Sequence, residues 1–215
     1  MTLTFSIDEF IAAGARPVVS TLLVTIFLAA CSTLPPPAEE NSDWARQRDQ
    51  LIGLDSWELR GRVNVRYDDE SHTPRINWLQ QNSEYHIRLW GTFNAGNTLI
   101  TGSPGYVTLE SDGETLTASS PEDLILQQLG YELPVSQLNY WIKGVPAPDT
   151  EADLSFNELN QLTTIRQEDW TIQLSDMRQY GIISLPRRVE LTRPRNDIRL
   201  RFIGLNWTTD DAFEQ

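Results

Sequence analysis

The chain has 215 residues, 40% of them hydrophobic, and a formal net charge of −13 at pH 7. This acidic balance argues against a nucleic-acid-binding protein and against electrostatic attraction of the whole chain to anionic lipid. The single cysteine, Cys31, allows no disulfide within the chain, so the core of one domain must come from apolar packing, which this length permits.

Residues 1–30 have the pattern of a secretory signal. Arg16 precedes an apolar run over 17–30, which is shorter than the roughly 20 apolar residues of a membrane-spanning helix. The run ends in Leu28-Ala29-Ala30-Cys31, which resembles a bacterial lipobox. That resemblance implies cleavage before Cys31, S-diacylglycerol on its sulfur and a palmitoyl group on its nitrogen. The alternative is an ordinary signal peptide with a chance cysteine.

The residues after Cys31 predict where the chain goes. By the bacterial sorting pattern, Ser32 permits export to the outer membrane, whereas aspartate there retains a lipoprotein at the inner membrane. Residues 35–37 are consecutive prolines, typical of an extended tether. We therefore predict a signal peptide over 1–30, a lipidated tether over 31–41 and a folded domain over 42–215.

A helix is predicted over 43–54, with Ser42 or Asp43 as its N-cap. The apolar period then changes to two, because apolar residues alternate with charged ones over 57–67, and this favours a half-buried strand. Short strands separated by turns follow and predict an antiparallel meander. The six strands are 57–67, 75–81, 85–91, 97–101, 106–111 and 114–118.

Two helices interrupt the strands. Ser120 as N-cap, Pro121 in the first turn and Gly130 at the end predict a helix over 121–129. A second helix is predicted over 133–142, and strands resume at 162–167, 170–175, 188–192 and 197–203. This order predicts a mainly β fold, an incomplete antiparallel β-barrel or strongly curved sheet with helices packed across it.

The predicted apolar face of the sheet carries unusually large side chains. Barrel cores are mostly filled by aliphatic residues, whereas an aromatic-lined concave face suits a cavity for acyl chains. The alternative is a simply well-filled core. The candidates for the acyl-chain cavity are Trp57, Tyr67, Trp78, Tyr85, Trp170 and Phe202.

Several segments after Cys31 match one known family in their order along the chain. They are 57–62 (WELRGR), 75–78 (RINW), 87–96 (IRLWGTFNAG), 138–144 (LNYWIKG), Trp170 and 186–191 (PRRVEL). With these segments, nearly the whole chain after Cys31 resembles the LolB family of outer-membrane lipoprotein receptors. The resemblance implies a helical lid over an apolar cavity, and a monomer on the periplasmic face of the cell outer membrane. It also implies that triacylated lipoproteins are accepted from a LolA-type periplasmic carrier and released into outer-membrane lipid, with no catalysis and no cofactor.

The loop over 91–96 departs from the family. Its members commonly project a leucine there, which helps to insert cargo into the membrane. Aligned on Gly96, the leucine position holds Ala95, which is a weak anchor. Either Phe93 has taken over membrane insertion, or it is a half-buried aromatic at the end of a strand.

Other motifs give no catalytic or metal site. His72 and His86, the only histidines, have no cysteine partners, which disfavours a metal site or a catalytic dyad. Residues 102–105 resemble a nucleophile loop but lie between two predicted strands, which favours a hairpin. We expect no enzyme, no metal and no nucleic-acid partner. The rival hypothesis is a structural or sensor outer-membrane lipoprotein with the same fold.

Overall fold

The alternating segments of the sequence form one large antiparallel sheet. The computed structural model describes residues 42–91, 97–130 and 132–209, within a compact unit over 39–215. In this described part, twelve strands share a single sheet. Several predicted features lie outside the described residues: the signal over 1–30, the whole tether over 31–41 with Cys31 and Ser32, Phe93 and Ala95.

Strand neighbours follow the chain order except at the centre of the sheet. The spatial order is β7-β6-β5-β4-β3-β1-β12-β11-β10-β9-β8, with β2 paired to β1. The first and last strands, β1 and β12, therefore pair with each other and join two meanders. The strands are β1 (Ser56–Tyr67), β2 (Glu70–His72), β3 (Arg75–Gln81), β4 (Glu84–Trp90), β5 (Thr98–Ser103), β6 (Tyr106–Ser111), β7 (Glu114–Ala118), β8 (Ala152–Phe156), β9 (Leu162–Gln167), β10 (Trp170–Tyr180), β11 (Ile183–Arg193) and β12 (Ile198–Thr209).

Alternation along each strand decides which face is buried. On β3, Ile76 and Trp78 are buried, whereas Arg75, the first residue of the strand, is exposed. The two-residue period of a strand requires this alternation. Among the described residues, every buried apolar side chain of the core comes from residues 44–207. The domain thus has its own core, and we expect residues 39–215 to fold without the preceding segment.

Three helices accompany the sheet in the described residues: α1 (Ser42–Ile52), α2 (Pro121–Leu129) and α3 (Val135–Trp141). The predicted start and end of α2 are confirmed, because Ser120 Oγ accepts a hydrogen bond from Asp123 N at 3.1 Å and Gly130 adopts φ +74°. In the described part of the chain, no helix combines the length and the apolar character needed to cross a membrane.

The prediction of a mainly β fold with an open, curved antiparallel sheet and few helices is confirmed. Two strands escaped the sequence pattern. β2 is exposed along its whole length. β8 is a short edge strand in which apolar and polar residues alternate but none is fully buried. The hairpin of β10 and β11 also extends well beyond the predicted strands, because cross-strand pairing carries it through polar residues.

Candidate functional site

An apolar cavity of about 150 Å³ lies between the inner face of the sheet and the pair of helices α2 and α3, which we call the lid. Its lining consists of aliphatic side chains, one proline and two aromatic rings. The lining residues are Val63, Val65, Ile76, Trp78, Ile87, Leu89, Ile100, Pro121, Leu124, Ile125, Leu133, Val135, Leu138, Leu200 and Phe202.

The sheet side of the cavity is built by residues two positions apart. Val63 and Val65 on β1 and Ile87 and Leu89 on β4 all point to the same face, because successive side chains of a strand alternate between faces. The predicted alternation therefore accounts for the lining residues that come from the sheet.

The cavity candidates predicted from the sequence include no residue of the lid, although the family resemblance implies the lid itself. Leu124 on α2 is only 1% exposed, and Val135 and Leu138 lie three residues apart on α3. Residues at that spacing share one face of a helix. This spacing was the signal that could have identified the lid residues as part of the cavity.

The end of α3 is fixed by the buried side chain of Gln167. Trp141 Nε1 and the backbone N–H of Ala147 donate to Gln167 Oε1 at 2.7 and 2.9 Å. Gln167 Nε2 in turn donates to Ala147 O and Thr150 Oγ1, both at 2.8 Å. Since buried polar groups without partners are costly, these bonds hold the segment after α3 against β9.

Lys143 is a second buried anchor at this end of the lid. It is 2% exposed, and its Nζ donates to Leu54 O at 3.1 Å. Burial lowers the pKa of Lys143 to about 8, and the nearby charge of Asp55 opposes this only in part. The bond ties the end of α3 to the segment between α1 and β1.

The opposite end of the lid has a lighter connection. Glu122 on α2 accepts a hydrogen bond from the backbone N–H of Ser136 at 2.7 Å, which joins the first turn of α2 to the first turn of α3. The bond is exposed, so water can replace either partner at little cost.

A more polar groove of about 540 Å³ adjoins the cavity and shares Trp78 and Val135 with it. The hydroxyl of Tyr85 is buried there without a hydrogen-bond partner among the described residues. Burial, and secondarily the charge of Glu122, raise the pKa of Tyr85 to about 12. Its ring lies so close over Gly102 that a Cβ there would be 2.1 Å from it. The neutral hydroxyl remains available as a donor.

The structure distributes the six predicted aromatic residues over different parts of the inner face, and four of them lie at or beside the cavity. Trp78 and Phe202 line the cavity, and Tyr85 lines the adjoining groove. Trp57 is fully buried, with its ring centroid 5.2 Å from that of Trp78 and equally far from that of Trp207. The inner face therefore combines a filled aromatic region with a small cavity.

The other two aromatic residues are not among those that line the cavity. The ring of Trp170 lies 6.0 Å from that of Trp141 and beneath the guanidinium of Arg193. Tyr67 is half-buried against the core at the end of β1. Alternation places a side chain on the inner face, but it does not tell which part of that face the lid covers.

The family model and the relatives found by sequence agree on one family. The family model described as outer membrane lipoprotein LolB matches residues 55–207. An outer-membrane lipoprotein LolB from Chromohalobacter salexigens is 35% identical and covers 91% of each chain. A namesake from Marinobacter nauticus is 33% identical and covers 91% of this chain and 99% of its own. The solved structure of a LolA superfamily protein from Nitrosomonas europaea aligns with 78% of this chain and 90% of that one, at 11% identity and a TM-score of 0.47.

Proposed function

This chain belongs to the LolB family of outer-membrane lipoproteins, and from this premise we propose that it accepts triacylated lipoproteins from a LolA-type periplasmic carrier. It then releases them into the outer membrane, to which it is anchored through Cys31 on the periplasmic side. The observation that carries the proposal is the apolar cavity beneath the lid.

The chemistry of the lining suits acyl chains. Burial of each methylene contributes about 0.8 kcal/mol, and an apolar wall imposes no direction on how the chain lies. Trp78 and Phe202 would contact the acyl chains, while the Tyr85 hydroxyl would offer a donor to the ester and amide groups of the cargo. Transfer then needs only a higher affinity than that of the carrier and a lower affinity than that of the membrane.

The volume of the cavity requires the lid to move. A cavity of about 150 Å³ is the size that holds a molecule such as benzene, whereas ligand pockets commonly measure about 300 to 1,000 Å³. The described arrangement is therefore a closed state. Acyl chains would occupy the space that Leu124 and Leu138 fill in this state.

The anchors of the lid indicate which part opens. Gln167 and Lys143 hold the end of α3 through buried hydrogen bonds. At the other end, the described side-chain hydrogen bonds are exposed: Ser136 N donates to Glu122 Oε1, and Gln137 Nε2 donates to Glu168 Oε1. We expect α2 and the first turn of α3 to swing outward while the segment after Trp141 stays fixed.

The remaining features of the proposal concern residues that the structure does not describe. Ser32 directs the chain to the outer membrane, residues 31–41 act as a tether, and Phe93 or Ala95 inserts cargo into the bilayer. The alternative function is a structural or sensor lipoprotein with the same fold, which would bind no acylated cargo.

Substitution of Leu89 by tryptophan tests the role of the cavity. Leu89 is half-buried on β4 and lines the cavity, so the larger ring should occupy the space of several methylenes. At about 0.8 kcal/mol for each methylene, the loss of two corresponds to roughly tenfold weaker cargo binding. The measurement is the transfer of a radiolabelled lipoprotein from the purified carrier.

Leu99→Trp is the matched control, because Leu99 is also half-buried and lies opposite Arg88 on the neighbouring strand, on the other face of the sheet. It should accept cargo like the parent, and thermal melting should show both variants folded. Equal transfer by the parent and Leu89→Trp would contradict the cavity proposal. Failure of the parent to accept any cargo would favour the structural or sensor alternative.

A further inference from the structure

Three arginines and a tryptophan form a row across the outer face of the sheet, opposite the cavity. Arg62 on β1 pairs with Arg75 on β3, and Arg75 pairs with Trp90 on β4. On the other side, Arg62 pairs with Ile203, which pairs with Arg188 on β11. We call Arg62, Arg75, Arg188 and Trp90 the arginine row.

The charges of this row have no carboxylate partner within the described residues. Elsewhere on the same face, Arg60 is paired with Glu58 at 2.8 Å and Arg201 with Glu190 at 3.0 Å. By contrast, Arg62, Arg75 and Arg188 are exposed, and no ion pair within 4.0 Å joins them to any described carboxylate. Positive charge thus collects in one place on a chain whose net charge is −13.

Like charges in directly opposite positions on neighbouring strands destabilise a sheet, and Arg62 and Arg75 occupy such positions. A bound anion would remove this repulsion. An open groove of about 430 Å³ lies at the row, where a bulge shifts the register of β1 and β12. Arginine and tryptophan side chains line it together with the backbone at Gly204, and no carboxylate does.

The row has the composition of a membrane-facing surface. The planar guanidinium group binds phosphate through two parallel hydrogen bonds, and tryptophan is enriched at the boundary between lipid and water. Trp90 is half-buried, so its ring is held in place beside Arg75.

We propose that the arginine row binds the phosphates of anionic phospholipid headgroups and so docks the outer face of the sheet on a bilayer. The choice of a bilayer as partner rests on the proposed attachment of the chain to the outer membrane. The net negative charge of the chain opposes such docking only over short distances, because screening limits electrostatic interactions to about 8 Å at physiological ionic strength. Charges near the row therefore outweigh distant ones.

Vesicle flotation of residues 39–215 tests the proposal, because this unit contains the whole described core and lacks the acyl anchor that would mask weaker binding. The vesicles contain phosphatidylcholine alone or mixed with phosphatidylglycerol. Binding should rise with phosphatidylglycerol and fall with added salt. The double variant Arg62→Glu/Arg75→Glu should bind the mixed vesicles at least about tenfold more weakly, since each arginine near an anionic surface contributes about fivefold.

The double variant Arg46→Glu/Arg166→Glu is the matched control, because both residues are exposed and lie on α1 and β9. It changes the net charge equally and should bind like the parent. Trp90→Ala should weaken binding to both kinds of vesicle. Circular dichroism and thermal melting confirm that each variant is folded.

The proposal would be overturned if both double variants lost vesicle binding equally, since that result would reveal only an effect of net charge. The proposal would also be overturned if Arg62→Glu/Arg75→Glu bound the mixed vesicles as well as the parent does. If that variant also failed to bind the purified carrier in a separate assay, the arginine row would be a protein-docking surface. The flotation assay uses neither carrier nor cargo, whereas failure of the proposed function appears only in lipoprotein transfer. Arg62→Glu/Arg75→Glu should still accept cargo, because its side chains face away from the cavity.

Discussion

At the scale of single residues, two buried polar side chains fix the closed lid. Lys143 bonds to Leu54 O, and Gln167 receives or donates hydrogen bonds at Trp141, Ala147 and Thr150. Their partners are largely backbone groups distant in sequence, so no local pattern announces them. They are satisfied only because the fold brings α3, β9 and the segment before β1 together.

The lowered pKa of Lys143 predicts that stability depends on pH. Its pKa is about 8 in the folded chain against 10.5 for the ordinary group, so the unfolded chain binds more protons between these values. The free energy of unfolding should therefore rise from about pH 8 to about pH 10.5 by up to roughly 3 kcal/mol, whereas below about pH 8 the full cost of burying the charge applies. Urea unfolding near neutral pH and near pH 10 measures this rise. The free energy of unfolding should increase between the two pH values in the parent but not in Lys143→Met.

Arg46→Met is the control for that experiment, because Arg46 is an exposed basic residue on α1. It should retain the parental rise. A rise of the same size in Lys143→Met would show that the Lys143 amine does not titrate in this range.

At the scale of elements, the lid has one strongly held end and one weakly held end. Buried hydrogen bonds fix the segment after α3. At the other end, exposed hydrogen bonds join Ser136 N to Glu122 Oε1 and Gln137 Nε2 to Glu168 Oε1. Apolar contacts through Leu124 and Leu138 close the remainder. Elements held mainly by exposed hydrogen bonds open at low free energy.

Glu122→Ala should loosen the lid without unfolding the domain. Loss of the bond to Ser136 N should speed amide exchange in the first turn of α3 severalfold, while the global free energy of unfolding falls by less than about 1 kcal/mol. Hydrogen exchange with mass spectrometry measures the first effect and urea unfolding the second.

Glu132→Ala removes an exposed carboxylate between the two helices and serves as the control. Exchange in α3 should stay at the parental rate in this variant. If Glu122→Ala exchanges no faster than Glu132→Ala, the bond to Ser136 does not restrain the lid.

At the scale of the whole molecule, the proposed anchor and the folded domain have different roles. The described core is built from residues 44–207, and the proposed acyl chains on Cys31 would contribute membrane attachment. Three acyl chains hold a protein far more firmly than one. The arginine row would then orient a domain that is already confined to the membrane.

Cys31→Ala should abolish lipidation and release the chain as a soluble periplasmic form, or leave an uncleaved precursor. Membrane fractionation with mass spectrometry detects either result. Ser32→Ala is the control and should remain acylated and bound to the outer membrane. Acylation and normal fractionation of Cys31→Ala would contradict the proposed anchor, while the melting temperature of the folded domain should be the same in both variants.

Sequence alone determined the features that depend on local periodicity and on caps. The two-residue period over 57–67 predicted β1, and Ser120 and Gly130 predicted the ends of α2. The family resemblance added the lid and the cavity. The predictions of β1 and of the ends of α2 succeed because alternation and helix capping act within a few residues of the chain.

Tertiary structure decided what depends on distant partners. Strands β2 and β8 exist through pairing with β1 and β9, and only the position of the lid separates Trp78, which lines the cavity, from Trp57, which is packed in the core. The arginine row likewise arises from register, since Arg62, Arg75 and Arg188 are far apart in the chain. A period assigns each side chain to a face, but only the pairing of strands and the packing of helices determine which side chains become neighbours.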